Sequence, residues 1–165
     1  MGYPCLDLHR FTIDMTHAET MIWLDEFKLG NPAIDETHRE FIQVVNALLA
    51  SDALNFDIRL EAFAVHAKHH FDEEDRMMAE SGYTNAKCHV DEHWAVLNSV
   101  RDVHALPDER RFVVGTQLAR ELARWFPGHL DAMDRGLADW LVRHHTGGAP
   151  LKFVRVKPGV STGAA

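Results

Sequence analysis

The sequence predicts an all-α protein, an up-down-up-down antiparallel four-helix bundle. Four segments repeat apolar residues at the three- and four-residue spacing of one helical face, and breaks rich in glycine or proline separate them. Strand-like alternation is confined to the stretch LKFVRVK near the end of the chain. Helices joined by connections this short pack most economically as antiparallel neighbours.

The first half of the chain predicts an arm and two helices. The opening residues lack sustained periodicity, so we expect an extended arm packed by Trp23 and Phe27. The first helix should follow Pro32, and the second should run from about Phe56 to Ala79. The first helix carries on one face His38, Phe41, Val44, Val45, Leu48 and Leu49. The corresponding stripe of the second helix is partly polar and contains Phe63, His66, Ala67, His70, Glu74, Met77 and Met78.

The second half predicts two more helices. Ser81 and Gly82 end the second helix, and the third should run from about Ala86 to His104. One face of the third helix carries His89, His93, Val96, Leu97 and Val100. The fourth, after a turn at Pro107, should be the longest unless Pro127 interrupts it, because proline removes a backbone donor and kinks a helix. We expect a kink there that the bundle tolerates.

These elements divide the chain into three parts. We predict an N-terminal arm at residues 1–30, a helical bundle at residues 31–146 and a C-terminal tail at residues 147–165. The arm or the basic tail could dock an unidentified protein partner, although a plain surface segment is the simpler interpretation of the tail. The bundle itself is expected to be a monomer.

Composition excludes several classes of function. The net charge of -8 disfavours nucleic acid as a partner. No apolar run approaches the roughly 18 residues of a membrane span, so no membrane association is expected. The first twenty residues lack the apolar core of a secretory signal, which favours a cytoplasmic location. Cys5 and Cys88 are too few for a disulfide framework or a thiolate metal site.

Histidines and carboxylates in the apolar stripes predict a metal centre. His70 with Glu74, and His89 with His93, are four residues apart and project from the same side of a helix. A solvated helix face would explain either pair alone, but all four predicted helices contribute. The candidate metal ligands are His38, His70, Glu74, His89, His93, His129 and Asp134. Burying these groups without a metal would cost on the order of several kcal/mol per charged group.

The ligand types constrain the metal. Imidazole and carboxylate without thiolate suit iron, manganese, copper or zinc better than calcium. Seven ligands are too many for one ion. Two carboxylates that each lend one oxygen to each of two ions would account for the count.

The motifs that carry these residues resemble the hemerythrin family, in particular its bacterial single-domain members. They are WLDEFKLGNPAIDETH at Trp23 to His38, HFDEEDRMM at His70 to Met78, Gly82-Tyr83, HVDEH at His89 to His93, and HLDAMD at His129 to Asp134. The resemblance covers roughly residues 20 to 145, and it implies that the bundle encloses a non-haem diiron centre with a bridging oxo or hydroxo group.

The resemblance also implies how the ligands are shared and what the centre does. His89, His93 and His129 would bind one iron, His38 and His70 the other, and Glu74 and Asp134 would bridge them. The second iron would keep an open position for dioxygen. The expected function is therefore reversible dioxygen binding for storage, delivery or sensing, without enzymatic turnover. The alternatives are a diiron oxidoreductase acting on peroxide or nitric oxide, and iron storage.

Three positions near this centre need separate interpretation. Trp125 and Phe126 are expected to line the ligand pocket, and Phe126 stands where the family commonly has leucine. The larger ring could narrow access to the open iron, or it could be a conservative core exchange. His66 lies one turn before His70, and we interpret it as a neighbour of the ligands rather than as an eighth ligand.

Overall fold

The computed structural model describes residues 20–145, and four long helices make up most of this part of the chain. They are α1 (Pro32–Leu49), α2 (Phe56–Ser81), α3 (Ala86–His104) and α4 (Asp108–His129). Helix α4 continues through a π-helical turn (Leu130–Asp134) into α5 (Arg135–His145). Each helix packs on the next, and α1 also packs on α4, which closes the bundle. The predicted four-helix bundle is confirmed, and residues 20–145 contain no strand.

Local chemistry fixes the ends of the helices. The Asn31 side chain accepts hydrogen bonds from the backbone N–H groups of Ala33 and Ile34, at 3.1 and 3.4 Å, and so caps α1. Gly82 ends α2 in the left-handed conformation, with φ of 66°. The N–H of Tyr83 then bonds to the carbonyl of Met78, as expected of a glycine-terminated helix. Helix α2 therefore extends two residues beyond the predicted end at Ala79.

The fourth helical segment continues past Pro127, so the prediction that it is the longest is confirmed. It begins at Asp108, a full turn before its first large apolar residue, and two acidic residues in its first turn complement the helix dipole. Pro127 lies inside α4 without ending it. The helical run from Asp108 to His145 is accordingly the longest in the described chain.

Part of the predicted N-terminal arm is described, and it lies against the bundle. Met21 exchanges two backbone hydrogen bonds with the Asn46 side chain, at 2.8 and 2.9 Å. Trp23 contacts Phe27 edge to face, and Phe27 is buried against Phe126. Residues 1–19 of the arm and the whole predicted tail lie outside the described residues.

Two apolar clusters lie on either side of a polar layer. The larger is formed mainly by phenylalanine, leucine and valine side chains of α1 to α4. The smaller contains Ile34, Met78, Leu137 and Leu141. His38, Glu74 and Asp134 each lie along their helical run between a member of the larger cluster and a member of the smaller one, so a polar layer separates the two clusters. Within residues 20–145 no helix is long and apolar enough to cross a membrane.

Candidate metal centre

All seven predicted side chains converge in the polar layer of the bundle. Each is at most 4% exposed, which is far below the usual exposure of histidines and carboxylates. Helix α1 supplies His38, α2 supplies His70 and Glu74, α3 supplies His89 and His93, and the fourth helical run supplies His129 and Asp134. Five of their atoms, one each from Glu74, His89, His93, His129 and Asp134, lie within 4.8 Å of one another, as do atoms of His38, His70 and Glu74.

Glu74 lies between two groups of histidines. Its Oε1 is 3.2 Å from His70 Nε2 and 3.4 Å from His38 Nε2. Its Oε2 is 3.4 Å from His89 Nε2 and 3.3 Å from His93 Nε2. The two oxygens of this one carboxylate therefore face different histidines.

Asp134 divides its oxygens in the same way. Oδ2 is 3.3 Å from His38 Nε2, whereas Oδ1 is 2.9 Å from His89 Nε2 and 3.2 Å from His129 Nε2. Taken together, the contacts of the two carboxylates separate the five histidines into a pair and a triplet. We call His38 and His70 the two-histidine half, and His89, His93 and His129 the three-histidine half.

The atoms in this layer are close together but poorly aligned for hydrogen bonds. His70 bonds to Glu74, yet seven of the inward atoms are buried with no hydrogen-bond partner among the described residues. They are Nε2 of His38, His89, His93 and His129, Oε2 of Glu74, and both carboxylate oxygens of Asp134. Neighbouring ligands of one ion, each about 2.1 Å from it and at right angles, are about 3 Å apart. The separations of 2.9–3.4 Å therefore fit a metal centre.

The π-helical turn explains how His129 and Asp134 share one site. In an α-helix residues five positions apart point about 140° away from each other. Here the N–H of Arg135 bonds to the carbonyl of Leu130, five residues back, which widens the turn. The wider turn returns Asp134 to the side of the helix that carries His129. Pro127 and Gly128 do not move His129 out of the site.

The ionisation of the metal-free layer follows from this crowding. Burial alone would lower the pKa values of His38 and His89, but the adjoining carboxylates of Asp134 and Glu74 raise both to about 9. Burial would also lower the pKa of His129, but the carboxylates of Asp134 and Glu92 together raise it to about 9. Burial would raise the pKa of Glu74 and of Asp134, but the histidines hold both well below their ordinary values. Without metal the layer therefore holds protonated imidazoles between carboxylates.

Two further carboxylates contact the three-histidine half, and neither was predicted from the sequence. Asp75 Oδ1 is 2.8 Å from His93 Nδ1. Glu92 Oε2 is 2.8 Å from His129 Nδ1 and also accepts a hydrogen bond from Trp125 Nε1 at 3.1 Å. Both contacts join different helices, so no spacing along the chain could identify them. Each leaves the Nε2 atom of its histidine facing the centre.

The three additional sequence candidates lie on different sides of the centre. Phe126 is 1% exposed, and its ring contacts His38 edge to face at 5.4 Å between centroids. Trp125 instead stacks on His129, with centroids 4.2 Å apart. His66 lies beside His70, with centroids 5.8 Å apart, and its Nδ1 is 3.7 Å from Glu40 Oε2. His66 Nε2 is buried without a hydrogen-bond partner among the described residues.

Comparison with known proteins places this bundle in one family. Residues 29–144 match the hemerythrin HHE cation binding domain. Bacteriohemerythrin from Ralstonia nicotianae is 33% identical over 121 residues, which are 73% of this chain and 88% of that protein. Bacteriohemerythrin from Stenotrophomonas maltophilia is 25% identical over 75% of this chain and 83% of that protein. Bacteriohemerythrin from Clostridium acetobutylicum is 26% identical over 72% of this chain and 98% of that protein. No solved structure gave a match.

The domain match covers α1 to α4 and nearly all of α5. It therefore contains every helix that contributes to the polar layer, and the buried histidines and carboxylates of that layer form two groups that could hold metal ions. The chain belongs to the hemerythrin family, with bacteriohemerythrins among its relatives.

Proposed function

We propose that this protein holds two non-haem iron ions and binds dioxygen reversibly at one of them. The observation that carries the proposal is the division of both carboxylates between two unequal sets of histidines. One oxygen of each carboxylate faces the three-histidine half, and the other faces the two-histidine half. One carboxylate whose two oxygens face different histidines could result from packing alone. Two such carboxylates are most simply explained by a pair of metal ions that share them both.

Counting ligands assigns different roles to the two halves. Three histidines, two carboxylate oxygens and a bridging oxo or hydroxo group would give one iron six ligands. The same carboxylates and bridge with only His38 and His70 would give the other five. The iron of the two-histidine half would therefore keep one free coordination position. The two ferrous ions of the centre would together supply the electrons for reversible binding of dioxygen at that position.

The protein around the two-histidine half favours binding over turnover. Phe126 stacks on Phe41 at 4.7 Å between ring centroids, and both rings contact its histidines: Phe126 meets His38 and Phe41 meets His70. Both phenylalanines are at most 1% exposed. Such walls exclude water, and the polar side chain that lies beside them is His66, next to His70 and Phe41. A small apolar molecule such as dioxygen is the ligand that suits this environment.

A titration with dioxygen tests the proposal. The anaerobic, reduced, iron-loaded protein is exposed to stepwise dioxygen while its visible absorption and resonance Raman spectra are recorded. We expect one new band that disappears when dioxygen is removed and whose Raman frequency shifts with the heavy oxygen isotope. The zinc-loaded protein serves as the control, because zinc has no redox chemistry and should give no band.

The other outcomes are equally informative. Immediate oxidation with no reversible band would contradict the proposal and support oxidoreductase or storage chemistry. Steady consumption of peroxide or nitric oxide, above the rate given by free iron, would select the oxidoreductase. Binding of many more than two iron ions per chain would select storage.

A further inference from the structure

The imidazoles of the two halves differ in what lies behind them. His93 and His129, in the three-histidine half, each present Nδ1 to a carboxylate at 2.8 Å. In the two-histidine half, Nδ1 of His38 and of His70 is buried and has no hydrogen-bond partner within residues 20–145. Nδ1 of His89 is also buried without a partner. Among the described residues, hydrogen bonds to carboxylates outside the ligand layer therefore involve two of the three histidines of one half and neither histidine of the other.

A carboxylate at Nδ1 changes what an imidazole offers a metal. It fixes the ring with a proton on Nδ1, which leaves the lone pair of Nε2 free for the ion, and it increases the electron density at that nitrogen. It also holds the ring at one orientation, so less freedom is lost when metal binds. All five histidines face the centre through Nε2.

We propose that Asp75 and Glu92 are positioning residues that selectively strengthen metal binding in the three-histidine half, so that this half binds its ion more tightly. The inference rests on the two-metal arrangement proposed above, but it does not depend on dioxygen. Asp75 acts on His93 from the α2 side, and Glu92 acts on His129 from within α3. Trp125 holds Glu92 in place through its indole N–H.

Zinc titration tests the inference without iron or dioxygen. Two variants, Asp75→Asn and Glu92→Gln, keep an oxygen that can accept the same hydrogen bond but remove the negative charge. Calorimetric titration of the metal-free protein with Zn²⁺, in competition with a chelator, should resolve a tight and a weak phase. In each variant we expect the Kd of the tight phase to rise about 10- to 100-fold, with the weak phase unchanged. His70→Ala should abolish the weak phase and so identify it with the two-histidine half.

Matched controls come from the same helices. Asp72→Asn and Asp91→Asn remove exposed carboxylates that pair with Lys68 and Lys87 at 2.6 Å, and neither should alter either phase. Thermal unfolding of the metal-free variants shows whether folding is intact. An equal loss in both phases, or an unchanged tight phase in folded protein, would overturn the inference. A failure of the dioxygen titration alone would leave these zinc affinities unaffected, so the two proposals fail separately.

Discussion

The two halves of the polar layer share two carboxylates, and aromatic rings pack on both, yet among the described residues only the three-histidine half has further carboxylates bonded to its imidazoles. Behind the three-histidine half lie Asp75, Glu92 and the indole of Trp125, all hydrogen-bonded or stacked on its imidazoles. The two-histidine half is backed by Phe41 and Phe126. Charged partners orient imidazoles and strengthen their bonds to metal, whereas aromatic walls exclude water without adding a ligand. On the function proposed above, this difference would suit one half to retaining its ion and the other to leaving room beside it.

Removing Glu74, one of the two carboxylates that the halves share, should have the largest effect. Glu74 contacts four of the five histidines, so Glu74→Ala deletes a ligand from each half at once. We expect the metal content of purified, iron-loaded protein to fall from two ions per chain to fewer than one. Glu73→Ala is the control, because Glu73 is exposed and pairs only with Arg76. Two ions retained in Glu74→Ala would refute the shared role of this carboxylate.

Removing a ligand from one half should separate the two. His70 approaches Glu74 through Oε1 only, and the five atoms that surround the three-histidine half do not include it. We therefore expect His70→Ala to bind one ion per chain, measured by elemental analysis after dialysis. The neighbouring His69 is exposed, and His69→Ala should still bind two. Loss of both ions from His70→Ala would show that the halves cannot fill independently.

Most residues of this centre could be predicted from the sequence, and the same reason explains why Asp75 and Glu92 could not. His70 with Glu74, and His89 with His93, could be predicted because a spacing of four residues always aligns side chains on an α-helix. His129 and Asp134 are five apart, so periodicity alone would set them on different faces. Both were predicted because they lie among the apolar residues of the fourth segment, and the π-helical turn supplies the physical explanation of how they share one site. Asp75 and Glu92 contact histidines of other helices, and only the packing of the bundle determines which side chains of different helices come into contact.

The pKa values of the ligand layer determine how the stability of the metal-free protein depends on pH. His38, His89 and His129 have pKa values of about 9 in the folded chain, above the ordinary 6.5. Their ion pairs therefore stabilise the fold fully below pH 6.5, and this contribution is lost as the pH rises through 9. Glu74 and Asp134, with lowered pKa values, contribute above their ordinary pKa values and lose that contribution in acid.

We therefore expect the Tm of the metal-free protein to fall between pH 7 and pH 10. The zinc-loaded protein should lose much less over the same interval, because the metal takes the place of the protons. Differential scanning calorimetry of both forms measures the difference, and the loaded form corrects for alkaline effects elsewhere in the chain. Equal losses in the two forms would contradict the ionisation assigned to the layer.

Phe126 tests the aromatic wall of the two-histidine half. Its buried ring contacts His38, Phe41 and Phe27, and Phe126→Leu would open space next to the proposed dioxygen position. We expect faster autoxidation and faster dioxygen release, measured by stopped-flow absorption, together with a stability loss of about 1 kcal/mol. Metal content should stay at two ions, since no ligand is removed. Unchanged rates would make Phe126 a conservative core exchange.

The smallest effect on the metal centre is expected at Pro127, in the helical run that supplies ligands to both halves. Proline has no N–H to offer the carbonyl four residues back, and it carries this defect two residues before His129. Pro127→Ala restores that donor, so the free energy of unfolding should rise by up to about 3 kcal/mol, the usual cost of proline inside a helix. The π-helical turn that aligns His129 with Asp134 begins only at Leu130 and depends on the Arg135-to-Leu130 bond, which this change leaves intact. Metal content and both zinc affinities should therefore match the unsubstituted protein. Loss of the tight phase alone would instead mean that the three-histidine half depends on the proline to place His129.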